Sequence, residues 1–467
     1  MSSEHRPADT VPETKPASPP TATIIPEGEH PIREQLLDRE ALKVLYRLRD
    51  AGFKGYLVGG GVRDLFLGKK PKDFDVSTDA RPGELRRIFR NSRTIGRRFR
   101  LVQVFFHGNR IVEVSTLRSH SEGAENGEGD VLAANNTFGT LDEDAFRRDL
   151  TINALFYEIE NHTVIDYVGG VADLNRGIIR MVGDPGLRFH HDPVRMLRAI
   201  RHAARTGFSI DPATFAALGE HASELMLCPP SRLRDEILKD LHSGASRAWA
   251  EQCMATPLWL TLFPFLGEGG KGRVREMRTM LLRMLAEIDR INQSGTEEKP
   301  VHMDDHFLFA VLLLPWAITA FDLPGAERLQ GARFHELALA LRQGVEECFG
   351  TPFNIQRMAK DRICVLLMQL PTLHHASAGG KPPRWLKGKS YYAECKRFYD
   401  LFQLGLGDRS AGIAAEDFVQ PKAAERVVTV ISAVETPSSR SHGRGSGTPV
   451  FSRQPGGVFG LCRKPAS

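Results

Sequence analysis

Tyr56 to Ala80 reads YLVGGGVRDLFLGKKPKDFDVSTDA, and the fold turns on how this stretch is understood. The apolar segment "GYLV" has the pattern of a strand and runs into Gly59, Gly60 and Gly61. A short helical segment, "VRDLFLG", follows, and then two aspartates flank a single phenylalanine. Glycines where a strand becomes a helix remove side chains beside unpaired N–H groups and the positive end of the helix dipole, which together seat an anion. Arg63, on the first helical turn, adds a cation within reach of a triphosphate. The spacing is neither G-x-x-x-x-G-K-[ST] nor G-x-G-x-x-G, so a P-loop and a dinucleotide fold are both disfavoured. Asp73 and Asp75 occupy positions i and i+2 of an expected strand, which puts both carboxylates on one face while Phe74 and Val76 turn to the core. Two like charges so close repel, and a divalent cation between them relieves the repulsion. In a two-metal site, ions roughly 4 Å apart activate an attacking hydroxyl and stabilise a leaving oxygen. Taken singly, three glycines more often mark a tight turn, and paired aspartates are as readily an exposed strand edge.

Working outward, a third carboxylate has two candidates. Glu113 alternates with Val112 and Val114 in "RIVEVSTLR", so a strand beside "DFDV" would aim it at the aspartates. "RRDLTINAL" supplies Asp149, beside Arg147 and Arg148 and ahead of Asn153. Such a cluster, seen alone, is also an ordinary helix or strand terminus with a solvated ion pair. From Glu34 to about Asp166 strand-like and helix-like segments alternate, as expected of one α/β unit with a small mixed sheet. After Asp184 the strand signals fade. "DPVRMLRAIRHAARTG", "PATFAALGEHASEL" and "SRLRDEILKDLHSG" are amphipathic helices with stop glycines, and the helical pattern persists to about Val434.

The chain has 467 residues, too many for one ordinary core. Its first 30 residues carry six prolines and little apolar periodicity, so a disordered leader is expected there. From Thr436 onward there are five basic residues and no acidic one, the pattern of a basic disordered tail. The longest apolar run, Phe307 to Phe321, is shorter than the roughly 20 residues of a membrane span and contains Pro315, so it reads as a buried, kinked helix. No basic segment followed by an apolar one marks the N-terminus for secretion, and the cytoplasm is the expected location. Six cysteines (Cys228, Cys253, Cys348, Cys364, Cys395, Cys462) form no C-x-x-C pair, which argues against a zinc ribbon, a redox motif or a disulfide framework. A formal net charge of +5 is compatible with a polyanionic partner without requiring one.

The ordered set "LVGGGVRD", "DFD", "EVSTLR", "RRDLTINALFY", "DYVGGVADL" and "DPVRMLRAIR" resembles the bacterial class II nucleotidyltransferases, which include poly(A) polymerase and the tRNA CCA-adding enzymes. The likeness covers roughly Leu36 to Gly244. It implies an α+β chain: a leader over 1–30, a nucleotidyltransferase head with a small mixed sheet over 31–183, and a base-reading, RNA-binding helical neck over 184–245. An all-helical body over 246–435 and the tail over 436–467 complete it. It further implies that Asp73 and Asp75 bind two Mg²⁺ ions, with Mn²⁺ as a substitute, and that Glu113 or Asp149 completes the catalytic carboxylates. Gly59, Gly60, Gly61 and Arg63 would hold the triphosphate of ATP, with Arg118, Arg148 and Asn153 as further nucleotide contacts. The family reads its base with E-D-x-x-R; here Asp192 and Arg195 match, and His191 replaces the glutamate. "IGRRFRLVQV" is similar to the poly(A) polymerase branch, with Gln103 where that form has histidine, and makes Arg97, Arg98 and Arg100 candidate RNA contacts.

The activity this implies is template-independent addition of AMP to RNA 3′ ends, on mRNA or decay intermediates, alongside RNA-decay protein partners. The alternative is a CCA-adding, A-adding or CC-adding enzyme acting on tRNA. An RNA-binding protein with a silent head is a rival of another class. His191–Asp192 is also formally an HD metal dyad, for which His302 to His306, "HMDDH", would supply further ligands.

Overall fold

The computed structural model describes residues 21–96, 100–119, 138–296, 299–323, 331–379, 383–408, 410 and 412–419. Arg97, Arg98, Cys462, the basic tail and the first twenty residues of the leader lie outside the described residues. One mixed sheet holds eight strands: β1 (Thr23–Ile25), β2 (Gly55–Val58), β3 (Asp75–Thr78), β4 (Ser92–Ile95), β5 (Leu101–Phe105), β6 (Ile111–Thr116), β7 (Leu155–Glu158) and β8 (Thr163–Asp166). Their spatial order is β1-β8-β7-β2-β3-β6-β5-β4, antiparallel throughout except where β3 meets β6. That parallel pair needs a crossover, which β4, β5 and the helix before them supply. Alternation decides the faces. Val102, Val104, Val112 and Val114 are buried on one side, and Glu113 and Ser115 turn to the other.

Among the described residues five helices support the sheet: α1 (Arg39–Asp50), α2 (Gly60–Phe66), α3 (Pro82–Ile88), α4 (Leu141–Arg147) and α5 (Gly170–Arg176). Helix α1 begins where the Asp38 carboxylate accepts from the backbone N–H groups of Glu40 and Ala41. Part of the expected leader is ordered. Strand β1 pairs with β8 in the register Thr23↔Asp166, and buried His30 bonds the His162 carbonyl at 2.8 Å. A three-residue edge strand acquires its hydrogen bonds from a partner about 140 residues away, so a local reading of a proline-rich stretch passes over it.

Next come α6 (Pro185–His191), α7 (Val194–Thr206), α8 (Pro212–Glu220) and α9 (Pro230–Leu241). Here the all-helical expectation needs one amendment: the two-residue strands β9 (Ile178–Ile179) and β10 (Ser209–Ile210) pair in parallel. The rest is helical: α10 (Ser246–Met254), α11 (Leu258–Leu262), α12 (Lys271–Gln293), α13 (Asp305–Phe321), α14 (Ala332–Val345), α15 (Arg357–Gly379), α16 (Arg384–Lys387) and α17 (Tyr392–Leu406). Helix α13 continues through Pro315 and is buried from Phe307 to Ile318. Among the described residues no helix is long and apolar enough to cross a membrane. Five described cysteines carry free thiols, four of them buried. A single apolar cluster runs from Ile25 to Phe418, and a smaller one, with Tyr56, Val58 and Phe156, covers the other face of the sheet beside the acids.

Candidate active site

The antiparallel register Val58↔Asp75 sets the end of β2 against the start of β3, so the glycine bend and the acids are neighbours by pairing. Gly59 has φ 68°, a conformation that glycine adopts at no steric cost. A Cβ on Gly61 would lie 3.4 Å from the Asp73 carbonyl oxygen, so the first turn of α2 rests on the backbone of the acid pair. Strand β3 starts at Asp75, and Asp73 belongs to the segment leading into it, which amends the expectation of one strand carrying both. Both aspartates are exposed. The parallel register then places Glu113 directly beside Asp75. Glu113 Oε1 accepts from Gln103 Nε2 at 3.0 Å, which fixes its side chain.

Electrostatics single out Asp75. Although the residue as a whole is exposed, burial of its carboxyl group desolvates it, Glu113 and then Asp73 add like charge, and together they push it up to about 6 against the opposing pull of Arg148. Excess negative charge with only oxygen donors is an environment that fits Mg²⁺ or Mn²⁺ rather than zinc.

Asp149 faces a different way. Its carboxylate lies 2.8 Å from Arg198 Nε and accepts from the Leu150 N–H at 2.7 Å. Burial alone would raise its proton affinity, but Arg198 and His202 outweigh burial and hold it below the usual carboxylate range. Arg63 is not at the surface of the bend either. It is 4 % exposed, donates to Asn153 Oδ1 at 2.7 Å, meets His202 Nδ1 at 3.2 Å and pairs with Asp64. A guanidinium so enclosed braces the bend from beneath. Asn153 is likewise buried in that network, with Nδ2 3.3 Å from His202 Nε2.

Arg148 stands closer to the acids. It donates to Asp144 Oδ2 at 2.9 Å and to Ser77 Oγ at 3.4 Å, lies over the Phe156 ring at 5.0 Å, and would touch a Cβ on Gly59 at 3.4 Å. Arg118 and Arg100 line a cavity at the far ends of β3 and β6. That cavity includes Thr116, three residues along β6 from Glu113 and so roughly 10 Å away.

The base-reading pair is close but not on one helix. Asp192 caps the end of α6, Pro193 starts the next turn, and Arg195 lies in the first turn of α7. Proline after Asp192 disfavours helical backbone there, which is why the run breaks. Arg195 Nε still approaches Asp192 Oδ2 at 3.6 Å, and Arg232 of α9 holds Asp192 at 2.9 Å. Arg232, Arg188, Arg198 and His202 were not picked out from the sequence. Arg188 donates to the Arg147 and Arg148 carbonyls, and burial lowers its guanidinium to about 10. The available signal was spacing: Arg195, Arg198 and His202 recur at helical intervals on one face of α7. Among the described residues the HD alternative is not assembled: the grouping with metal-ligand geometry, Asp304, His306 and Glu394, includes neither His191 nor Asp192. Asp192 is held by arginines, whereas His306 bonds Glu394 at 2.5 Å and Asp305 meets His242 at 3.1 Å.

A fold with this sheet and helical extension matches solved nucleotidyltransferases. The Bacillus stearothermophilus CCA-adding enzyme in complex with CTP superposes with a TM-score of 0.56, at 23 % identity over 80 % of this chain and 79 % of that one. The Thermotoga maritima CCA-adding enzyme complexed with tRNA superposes with a TM-score of 0.53, at 20 % identity over 84 % and 83 %. These likenesses define the fold class. Residues 55–180 match the family described as the poly A polymerase head domain, and residues 207–268 one described as the probable RNA and SrmB-binding site of polymerase A. Poly(A) polymerase I of Salmonella typhi is 43 % identical over 63 % of this chain and 63 % of its own length, so this chain spans less than two thirds of that relative. Poly(A) polymerase I of Escherichia coli O6:H1 is 40 % identical over 70 % of this chain and 71 % of its own. The chain belongs to the poly(A) polymerase family of nucleotidyltransferases.

Proposed function

We propose that this chain is a template-independent poly(A) polymerase of the cytoplasm that transfers AMP from ATP to RNA 3′ ends. The observation that carries this reading is the convergence of Asp73, Asp75 and Glu113 beside a glycine bend. Those three carboxylates would hold two Mg²⁺ ions, Glu113 rather than Asp149 being the third. When bound, such ions would supply charge neutralisation at the attacking and leaving oxygens. The primer 3′-hydroxyl gives up its proton to solvent water, its oxygen bonds to the α-phosphorus, the bond from that phosphorus to the oxygen bridging the β-phosphate breaks, and pyrophosphate leaves with that oxygen. The N–H groups at the start of α2 and the Arg148 guanidinium orient the phosphates, so catalysis is mostly positioning and electrostatics. Asp192 and Arg195 face the base with acceptor and forked donor. Arg97, Arg98 and Arg100 would contact the RNA, and RNA-decay proteins are candidate partners.

The test is an NTP-by-substrate assay, with each NTP offered on unstructured RNA and on tRNA lacking its 3′ end. Continued AMP addition to unstructured RNA, lost in Asp75→Ala with the circular dichroism spectrum unchanged, is the expected result. CMP incorporation on tRNA that stops after a defined number of steps would instead establish the CCA-adding reading, which the fold likeness to CCA-adding enzymes favours as the second choice.

A further inference from the structure

The cavity at the far ends of β3 and β6 has a composition that the active site does not explain. Its volume is about 520 Å³, and four arginines from three parts of the chain line it: Arg81 just before α3 and Arg87 in its last turn, Arg100 before β5, and Arg118 after β6. Glu84, the one acid among the described residues of its wall, is engaged elsewhere, its carboxylate accepting the Arg81 backbone N–H at 2.7 Å as the cap of α3. Phe138 also lines the cavity and is 45 % exposed, with the Arg81 guanidinium over its ring at 5.1 Å. Basic groups around an accessible aromatic face are the elements of a single-strand nucleic-acid platform: phosphates meet the guanidiniums and a base stacks on the ring.

The cavity also connects with the acids. Asp144 gathers Arg147 Nε at 2.7 Å, Arg148 Nη2 at 2.9 Å and the Arg118 backbone N–H at 3.4 Å. Arg148 in turn reaches Ser77, two residues from Asp75. A basic track therefore leads from the carboxylates to the cavity.

We propose that this arginine-lined cavity is an upstream RNA subsite, holding a nucleotide a few positions back from the primer 3′ end with its base on Phe138 and its phosphate among Arg81, Arg87 and Arg100. The proposal rests on RNA being the substrate, as proposed above. It makes the growing chain grip the head at two places, so primer affinity depends on length.

The test is equilibrium anisotropy with fluorescent oligoadenylates of increasing length, on the full chain and on Phe138→Ala, Phe138→Tyr and Arg87→Ala. Oligonucleotides long enough to reach the cavity bind Phe138→Ala roughly tenfold more weakly or worse, and Phe138→Tyr restores affinity. Arg87→Ala lowers the slope of log affinity against log salt by about 0.7. Short oligonucleotides bind all four proteins alike, and an oligonucleotide abasic at the upstream positions does not distinguish Phe138→Ala from the parent. Equal binding of long RNA by parent and variants, or an equal loss at every length, overturns the subsite. Displacement by polyglutamate, with no displacement by oligoadenylate, would reassign the cavity to an acidic protein segment and overturn it too. AMP transfer by the parent is scored separately: absence of transfer with the length-dependent binding intact sinks the polymerase reading and leaves the subsite standing.

Discussion

Asp75 and Asp149 each sit beside an arginine, yet their surroundings drive their carboxyls in opposite directions. Desolvation and then two acidic neighbours raise Asp75, whereas Arg198 and His202 lower Asp149. A group with surplus negative charge around it suits cation binding, and one already neutralised suits bracing. Glu113→Gln should therefore remove at least two orders of magnitude of AMP transfer with little change in melting temperature. Asp149→Asn should show the converse emphasis, costing about 1 kcal/mol in urea unfolding because the half-exposed Arg198 loses its partner. A silent Asp149→Asn melt with abolished transfer would return the third carboxylate to Asp149.

Asp75 also makes a pH prediction. Its folded value, about 6, lies above its ordinary 3.8, so the carboxyl favours the fold below 3.8 and loses that contribution as pH rises through 6. Metal-free Asp75→Asn should accordingly be more stable than the parent at pH 7, by about 1 kcal/mol once solvent screening is allowed for, and no different near pH 4. Scanning calorimetry at the two pH values checks the sign. Asp73, Asp75, the three glycines and Glu113 were legible as candidates because strand periodicity and residue type suffice to name them. The choice between Glu113 and Asp149 was not legible, because it depends on which strand pairs with β3.

At the scale of elements, α7 joins the two halves of the site. Its Arg198 and His202 reach Asp149, Asn153 and Arg63, and α6 sends Arg188 to the Arg147 and Arg148 carbonyls. Nucleotide choice in the proposed reading depends on how firmly Asp192 is presented at the break between these helices. Arg232 of α9 provides that hold. Arg232→Ala should thus lower the ratio of kcat/KM for ATP to that for CTP roughly tenfold, corresponding to about 1.4 kcal/mol of lost orientation, and leave Mg²⁺ dependence unchanged. An unaltered ratio would mean that Arg195 alone positions Asp192. Helix α7 itself was plain in the sequence from its periodicity and its closing Gly207. The break at Pro193 was passed over because D-x-x-R spacing looks the same within a helix and across a tight helix junction.

For the molecule as a whole, one apolar cluster extends from the inner face of the sheet to Phe418. The expected division into head, neck and body therefore carries no gap in the core, and heating should unfold the described region in one calorimetric transition. Two well-separated peaks would contradict this. A buried ionic cluster lies within that core: Arg201 donates to Asp240 at 2.5 Å and pairs with Glu236 at 2.6 Å. Burial pushes Asp240 up to about 7 despite Arg201, so it can take a proton when its partner is lost. Arg201→Met should lower the single transition by an amount at the low end of roughly 3–5 kcal/mol.

The amino-acid order alone determined the elements and the inventory of chemistry: a strand ending in glycines, acids at alternating positions, and amphipathic helices after residue 184. Each of these follows from local steric preference and periodicity, which act over a few neighbouring residues. Only the tertiary structure decided that Glu113 stands beside Asp75, that Arg63 lies beneath the bend, that Thr23–Ile25 forms an edge strand, and that Arg81, Arg87, Arg100 and Arg118 share a cavity. Those are pairings between residues distant in the chain. Strand register and core packing select them, and no local pattern encodes either.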